Sequence, residues 1–539
     1  MVVPIPGVAR KACWLYLRCM VAYNLCMADS ALFLRDERRV AAALGQLGFA
    51  NPFGPKRFAL ESSVFGQDAR AVGPLGGREA RQALRDRVRP LIYSARERLS
   101  GAEVYSREDL DLYEGLVLCQ LFFRYAEQFE EVVHSVMDGE VSSDLTFGLY
   151  EAFEADAAFF LRLEGLRTEL EVELPHLFAL FFQLIRAFIW IDRTIVGSSE
   201  VTQRYRERIW ESIFTHDMRR YRRTLFDRMA EIPTLITGPS GSGKELVARA
   251  IGLSRYIPFD PKRRRFVRAF DEGFQSVNLS ALSETLLESE LFGHQRGSFT
   301  GATADHQGFF ELAGHLGSVF LDEIGEVNEA IQVKLLRVLQ NRTFQRLGSS
   351  NTLRFDGKFI AATNRDLVSE MEEGRFREDF YYRLCADQIW TPSLSQQIAT
   401  GDNTLVELIS FIARRLVGRE DEEQLRDETL SWIQNELGRH YTWPGNVREL
   451  EQCVRNILIR REYVPARRRS LSSESALDGA LAGGHLSAEA LLNRYITHIY
   501  FREGSYEGAG RVLEMDRRTV KSKIDSTLLR ELEASKAQS

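Results

Sequence analysis

The chain lacks an excess of either charge. Its 70 Lys and Arg face 76 Asp and Glu, a net of −6 over 539 residues. A globally basic nucleic-acid coat is thereby excluded, so any DNA contact has to be local. Cysteine is scarce and scattered: Cys13, Cys19, Cys26, Cys119, Cys385 and Cys453 form no CxxC pair. That argues against a disulfide framework and against zinc, and fits a reducing cytoplasm. Clean long apolar runs are missing as well. The run from Ala12 to Leu34 is broken by Arg18, Asn24 and Asp29, and that from Leu177 to Ile191 carries Gln183 and Arg186. Both read as core helices, and no membrane partner is expected. No internal repeat is present.

What the sequence does contain begins with length enough for several cores. Up to about residue 193, apolar positions recur at three- and four-residue spacing, as in Asp109–Val136 and Leu145–Glu173. This part is expected to be mainly helical, either a regulatory domain or a helical packing and oligomerisation domain. It shows no nucleotide loop, metal cluster, catalytic triad or receiver-type pattern of strand-end aspartates. Alternating strands and helices then run over 194–397, and a helical block over 398–463. The Ser/Ala/Gly-rich stretch 464–485 reads as a linker, and 486–530 as a last helical unit. Arg467, Arg468 and Arg469 at the linker's start suit either phosphate or solvent.

The chemistry concentrates at Thr234–Leu235–Ile236–Thr237, followed by Gly238–Pro239–Ser240–Gly241–Ser242–Gly243–Lys244–Glu245. A short apolar strand feeds a glycine-rich loop that opens a helix. Glycines let backbone N–H groups turn around a phosphate, and the helix start adds positive potential. Lys244 would reach the terminal phosphates, while Glu245 stands where the generic loop carries Ser or Thr. A plain Gly/Ser turn before a helix is the simpler alternative for this stretch alone. Downstream, Ser318–Val319–Phe320–Leu321 ends at Asp322 and Glu323, and this strand is expected beside the first. Asp322 would hold Mg2+ through water, and Glu323 would activate the attacking water. Another strand, Phe359–Ala362, ends at Thr363 and Asn364, which would sense the γ-phosphate. Arg377 and Arg383 are either surface residues or groups supplied to a neighbouring subunit's ATP. Arg448 would reach back to nucleotide from a helix starting in Trp443–Leu450.

These words, with Glu288–His294, Gly297–Ser298–Phe299–Thr300–Gly301–Ala302 and Lys334–Gln340, resemble the AAA+ domain of sigma-54-dependent transcriptional activators over about 195–461. In that family Glu follows the loop lysine, as Glu245 does. The resemblance implies an AAA+ α/β core with a helical lid, ATP and Mg2+ as ligands, and self-assembly into a ring, a hexamer. It further implies that Gly297–Ala302 grips sigma-54, with Phe299 and Thr300 at the tip; a turn with a buried Phe is the alternative. Ser298 replaces the family's Ala. Asn278 matches the residue that holds the catalytic glutamate back, or else it caps a strand end. Two segments, 198–233 and 255–274, are longer than the family norm and are expected at the surface. Ser395–Gln396–Gln397 replaces a charged stretch after Leu394, which leaves the hinge to the lid open.

The last unit resembles a Fis-type helix-turn-helix, with Glu514 where the turn usually carries Gly. Asp516 would cap a helix bearing Arg517, Arg518, Thr519, Lys521, Ser522 and Lys523, the candidate contacts to upstream double-stranded DNA. A dimerising helical hairpin is the alternative. Together these readings point to an ATP-driven activator of sigma-54 RNA polymerase. A DNA-binding, nucleotide-responsive regulator that never engages sigma-54 is the alternative.

Overall fold

The structure is a computed structural model, and it describes residues 31–65, 78–101, 105–142, 145–163, 170, 173–401, 403–438, 441–465, 487–525 and 528–529. Cys13, Cys19, Cys26, the apolar run before Ser30 and the triple arginine at 467–469 lie outside the described residues. The chain divides into two compact units, Met1–Arg461 and Glu462–Ser539.

In the first unit the expected helices form: α1 (Arg35–Leu47), α2 (Pro55–Phe65), α3 (Arg78–Leu99), α4 (Arg107–Met137), α5 (Leu149–Leu161) and α6 (Leu174–Thr194). Ser106 starts α4 by accepting from the Asp109 N–H at 3.2 Å, satisfying a donor that the helix leaves free. Helices α1 and α4 cross where two glycines meet: a Cβ on Gly115 would sit 3.3 Å from Gly45 Cα. Helix α6 is long and apolar enough to cross a membrane, with mean hydropathy 1.7, yet 78% of that window is buried inside the protein.

The α/β part contains β1 (Thr234–Thr237), α8 (Lys244–Leu253), β2 (Phe259–Asp260), β3 (Arg265–Phe266), β4 (Phe274–Asn278) and β5 (Ser318–Asp322). Helix α7 (Glu200–Phe214) precedes them; β6 (Thr343–Gln345), β7 (Thr352–Arg354), β8 (Lys358–Thr363) and β9 (Asp387–Trp390) follow. Five strands pair in the order β4-β5-β8-β1-β9, all parallel. One expectation is corrected here. The acidic strand β5 does not lie beside β1, because β8 stands between them. Every residue of β8 is buried, and a strand with no polar face belongs at the centre of a sheet covered on both sides.

Alternate residues of the strands feed two cores, as the two-residue period of a strand requires. Leu235, Val319, Leu321, Phe359 and Ala361 join one apolar cluster. Ile236, Phe320, Ile360, Ala362 and Ile389 join the other, which continues without interruption into α1, α3, α4, α5 and α6. The helices before Thr194 therefore share their core with the sheet.

The inserted segments make that union, which corrects their expected surface position. The β2–β3 hairpin turns Phe259 and Phe266 into an aromatic cluster. Phe266 lies 5.1 Å from Phe147 and 4.7 Å from Phe182, and Phe259 lies 4.6 Å from Phe178. Phe270 adds an edge contact on Phe182 at 5.1 Å. Such pairs contribute about 1 kcal/mol each beyond their buried area. The other insertion builds α7, whose Ser212 donates to Asp387 on β9.

A helical block closes the unit: α9 (Leu394–Ala399), α10 (Thr404–Val417), α11 (Glu422–Trp432) and α12 (Asn446–Arg460). The altered stretch after Leu394 starts its helix through a reciprocal cap. Ser393 Oγ accepts from the Gln396 N–H at 3.2 Å, and Gln396 Oε1 accepts from the Ser393 N–H at 2.9 Å.

The second unit contains α13 (Ala488–Glu503), α14 (Tyr506–Leu513) and α15 (Arg517–Ser522) around Ile496, Ile499, Ala509 and Val520. Glu514 takes the left-handed conformation, φ 51°, the backbone state for which glycine is preferred in such a turn.

Candidate functional site

Parallel pairing aligns the strand ends. Asn278 stands opposite Asp322, and Thr237 opposite both Thr363 and Trp390. Open parallel sheets bind ligands at this carboxyl edge. The loop after β1 occupies it, with left-handed backbone at Gly238, Gly241 and Gly243, φ 141°, 75° and 92°. Two of these glycines are also needed for space. A Cβ on Gly238 would fall 2.1 Å from Thr391 Oγ1, and one on Gly241 would fall 2.4 Å from Gly445 O.

Lys244 opens α8 and is buried. Its Nζ donates to Gly238 O at 3.1 Å and Pro239 O at 3.3 Å, so the ammonium holds the loop it would share with phosphate. Burial lowers the Lys244 pKa, Glu323 and Asp322 oppose that shift, and Arg448 adds to it. All three therefore lie within electrostatic reach of the lysine. Glu245 is exposed on the first turn.

Glu323 stands in the left-handed region, φ 58° and ψ 48°, and its N–H donates to Asp322 Oδ1 at 3.1 Å. Its Oε2 is buried without a hydrogen-bond partner. An orphaned carboxylate oxygen at this edge fits a group waiting for water and ligand. Asn278 does not engage it in the observed hydrogen bonds: its Oδ1 accepts from Ser280 N at 3.0 Å and Ser280 Oγ at 2.7 Å, the capping role. Thr363 Oγ1 accepts from the Arg365 N–H at 3.0 Å, while Asn364 is exposed beyond the strand.

The helical block reaches the loop directly. Val447 N–H donates to Gly241 O at 3.1 Å, and Asn446 Nδ2 donates to Ser240 O at 2.9 Å. Asn446 Oδ1 accepts from the Leu394 N–H at 2.9 Å, so one side chain joins loop, hinge and helix. Asn446 has φ 53° and Trp443 φ 49°, a tight turn that aims the start of α12 at the loop. Sequence reasoning picked out Arg448 here but missed Asn446. It also missed Thr391, whose Oγ1 lies 2.6 Å from Ser242 Oγ; the positive φ at neighbouring Gly238 explains the close approach, but no sequence pattern marks Thr391.

The two arginines differ. Arg377 is held by Glu329 at 2.8 Å and Asp379 at 2.9 Å, and these carboxylates raise its pKa. Arg383 is exposed in the last turn of the helix Glu378–Leu384.

The segment Gly297–Ala302 folds on itself through Gly297 N–H to Ala302 O at 2.9 Å and Ala302 N–H to Phe299 O at 3.1 Å. Gly297 and Gly301 have φ 82° and 107°. Phe299 is half-buried, not fully exposed, and meets the His294 ring edge-on at 5.0 Å. Ser298 packs against Gly348, where an added Cβ would approach its own to 2.8 Å. Thr300 stays exposed.

In the second unit Arg517, Arg518, Lys521 and Ser522 are exposed, while Thr519 and Lys523 are half-buried. Asp516 caps α15 through the Arg518 N–H at 2.7 Å. Arg517 pairs with Glu507 at 3.1 Å.

Residues 214–389 match the family model described as the sigma-54 interaction domain. The Nif-specific regulatory protein of Azotobacter vinelandii is 44% identical over 245 residues, covering 44% of this chain and 43% of that protein. The transcriptional regulatory protein ZraR of Escherichia coli K12 is 41% identical over 249 residues, covering 46% and 52%. The chain thus spans about half or less of the length of these relatives. Among solved structures, NtrX from Brucella abortus in complex with ATP is 23% identical with a TM-score of 0.37, covering 65% of this chain and 72% of that one. The resemblance to sigma-54-dependent activators is carried by the central part of the chain.

Proposed function

We propose that the chain is an ATP-hydrolysing activator of sigma-54 RNA polymerase, acting as a ring from upstream DNA. The observation that supports it most is the glycine loop with Lys244 buried at its end, set at the carboxyl edge of the sheet where β5 ends at Asp322. The divisions read from the sequence supply the parts: regulatory helices over 1–193, ATPase core over 194–397, lid over 398–463, linker over 464–485 and DNA-binding unit over 486–530.

In this reading backbone N–H groups of Gly238–Gly243 surround the phosphates, and Lys244 exchanges its loop carbonyls for phosphate oxygens. Mg2+ would be held by Asp322 through water and would neutralise phosphate charge. Glu323 takes a proton from the attacking water as the bond to the γ-phosphorus forms and the bond to the ADP oxygen breaks. Thr363 and Asn364 border the γ-phosphate, and Arg448 carries the lid's response. Arg383 is the better candidate for a neighbour's site, because Arg377 must first leave two carboxylates. Asn278 serves as a cap in the described conformation and turns to Glu323 only in another nucleotide state.

Turnover then lifts Phe299 off His294 and presents it, with Thr300, to sigma-54. Arg517, Arg518, Thr519, Lys521, Ser522 and Lys523 hold DNA, which raises the local concentration near polymerase. The test is Phe299→Ala in an open-complex assay with sigma-54 polymerase. It should keep ATP turnover and lose open-complex formation. Retained activation would favour a nucleotide-responsive DNA-binding regulator that leaves sigma-54 alone.

A further inference from the structure

A cavity of about 320 Å³ lies at the opposite edge of the sheet from the glycine loop. Helices α6 and α7, the segment Tyr221–Ala230, the end of α8 and the first residue of β8 enclose it. Its volume is that of a small-molecule site.

Its polar groups are unusual for an interior. Lys358 is fully buried, and its Nζ donates to Ile232 O at 2.7 Å and Met229 O at 3.3 Å. Arg255 donates to His315 O at 3.1 Å and to Gly317 O. Behind the floor, Arg342 donates to Ala230 O at 2.7 Å and Gly357 O at 3.0 Å. In these hydrogen bonds three cations spend their donors on neutral carbonyls. Burial first, then Arg255 and Arg342, lowers the Lys358 pKa to about 8, against a pull from Asp387. Of the lining carboxylates, Asp356 already accepts from Arg354 at 2.7 Å, and Asp227 is exposed. Buried positive charge of this kind is stabilised by an anion in contact with it. The remaining wall sets the apolar Ile213, Phe226, Met229, Ile251 and Leu316 among Gln183, Ser212, Tyr221, Tyr256 and His315.

We propose that this cavity binds a small organic anion, its acid group toward Lys358 and Arg255 and its apolar body against Ile213, Phe226, Met229 and Ile251. The site would place an effector inside the core shared by the amino-terminal helices and the sheet. Strand β8 begins at Lys358, in this cavity, and ends at Thr363 on the edge that carries the glycine loop, so one strand runs between the two sites. The inference stands independently of the sigma-54 reading.

The experiment is calorimetric titration of the full chain with saturating ADP present, so that the nucleotide loop is filled. Phenylacetate and phenyl phosphate are the organic-anion probes; neutral 2-phenylethanol and inorganic phosphate are the controls. Saturable binding of an organic anion, at least about tenfold tighter than either control, is expected, and the tighter of the two probes identifies the acid group. Lys358→Met and Met229→Trp should each weaken it at least about tenfold while leaving ADP affinity unchanged. Equal binding of 2-phenylethanol, no saturation by about 10 mM of either anion, or an unaffected ADP-competent Met229→Trp protein would overturn the proposal.

Discussion

Val447 donates its backbone N–H to the carbonyl of Gly241 across 3.1 Å, so the helical block grips the glycine loop through its main chain. A side-chain contact there would vary with rotamer; a backbone bond fixes the distance between loop and helix. Movement of either is then felt by the other.

Gly241→Ala tests this link. The new methyl would meet Gly445 O at 2.4 Å, in a backbone state of φ 75° that disfavours a side chain. The left-handed conformation costs about 1 kcal/mol and the clash adds to it. Nucleotide affinity should fall about tenfold or more, measured with a fluorescent ATP analogue. Unchanged affinity would show the contact with the helical block to be dispensable.

Glu323→Gln keeps the shape of the side chain and removes the proposed base. ATP binding should remain near wild type, while phosphate release slows by about 10²–10⁴. Single-turnover hydrolysis separates the two, and undiminished turnover would assign water activation elsewhere.

The shared aromatic core predicts joint unfolding. Phe266→Ala should destabilise the whole first unit by about 3–5 kcal/mol, because the ring is 6% exposed and packs between Phe147 and Phe182. Calorimetry should show the amino-terminal helices and the parallel sheet melting in one transition, displaced together. Two independent transitions, only one of them shifted, would refute this.

Lys358 predicts a pH signature. The unfolded side chain titrates near 10.5 and the folded one near 8. Between those values the unfolded chain carries a proton that the folded chain has released, so stability rises with pH. Below about pH 8 both forms are charged and the burial penalty is fully present. Wild type should gain about 2 kcal/mol on Lys358→Met between about pH 8 and 9.5 in urea unfolding. A pH-independent difference would mean that Lys358 stays charged throughout.

Much of the carboxyl edge of the sheet was legible in the sequence because its geometry is local. A strand, a glycine turn and a helix start are neighbours in the chain, so Gly238–Lys244 reads directly. The place of Asp322 and Glu323 at a strand end was legible from order and residue type, though the neighbour of β5 was not, since strand order depends on which strand buries both faces. Asn446 and Thr391 were missed for a different reason. Each acts on a backbone far away in sequence, and a polar residue serving a distant carbonyl carries no periodic signal. The aromatic hairpin misled in the same way: Lys262–Arg265 suggests solvent, while Phe259 and Phe266 on either side point inward.

The hairpin Phe259–Phe266 also bears on how such a chain can be rebuilt. Its rings were shaped to one partner, and that partner is the first third of the same polypeptide. A chimaera grafting a foreign amino-terminal region ahead of this sheet would leave those rings facing water. Exchange of the amino-terminal helices by simple splicing at residue 194 is therefore closed to this protein unless the hairpin travels with the graft.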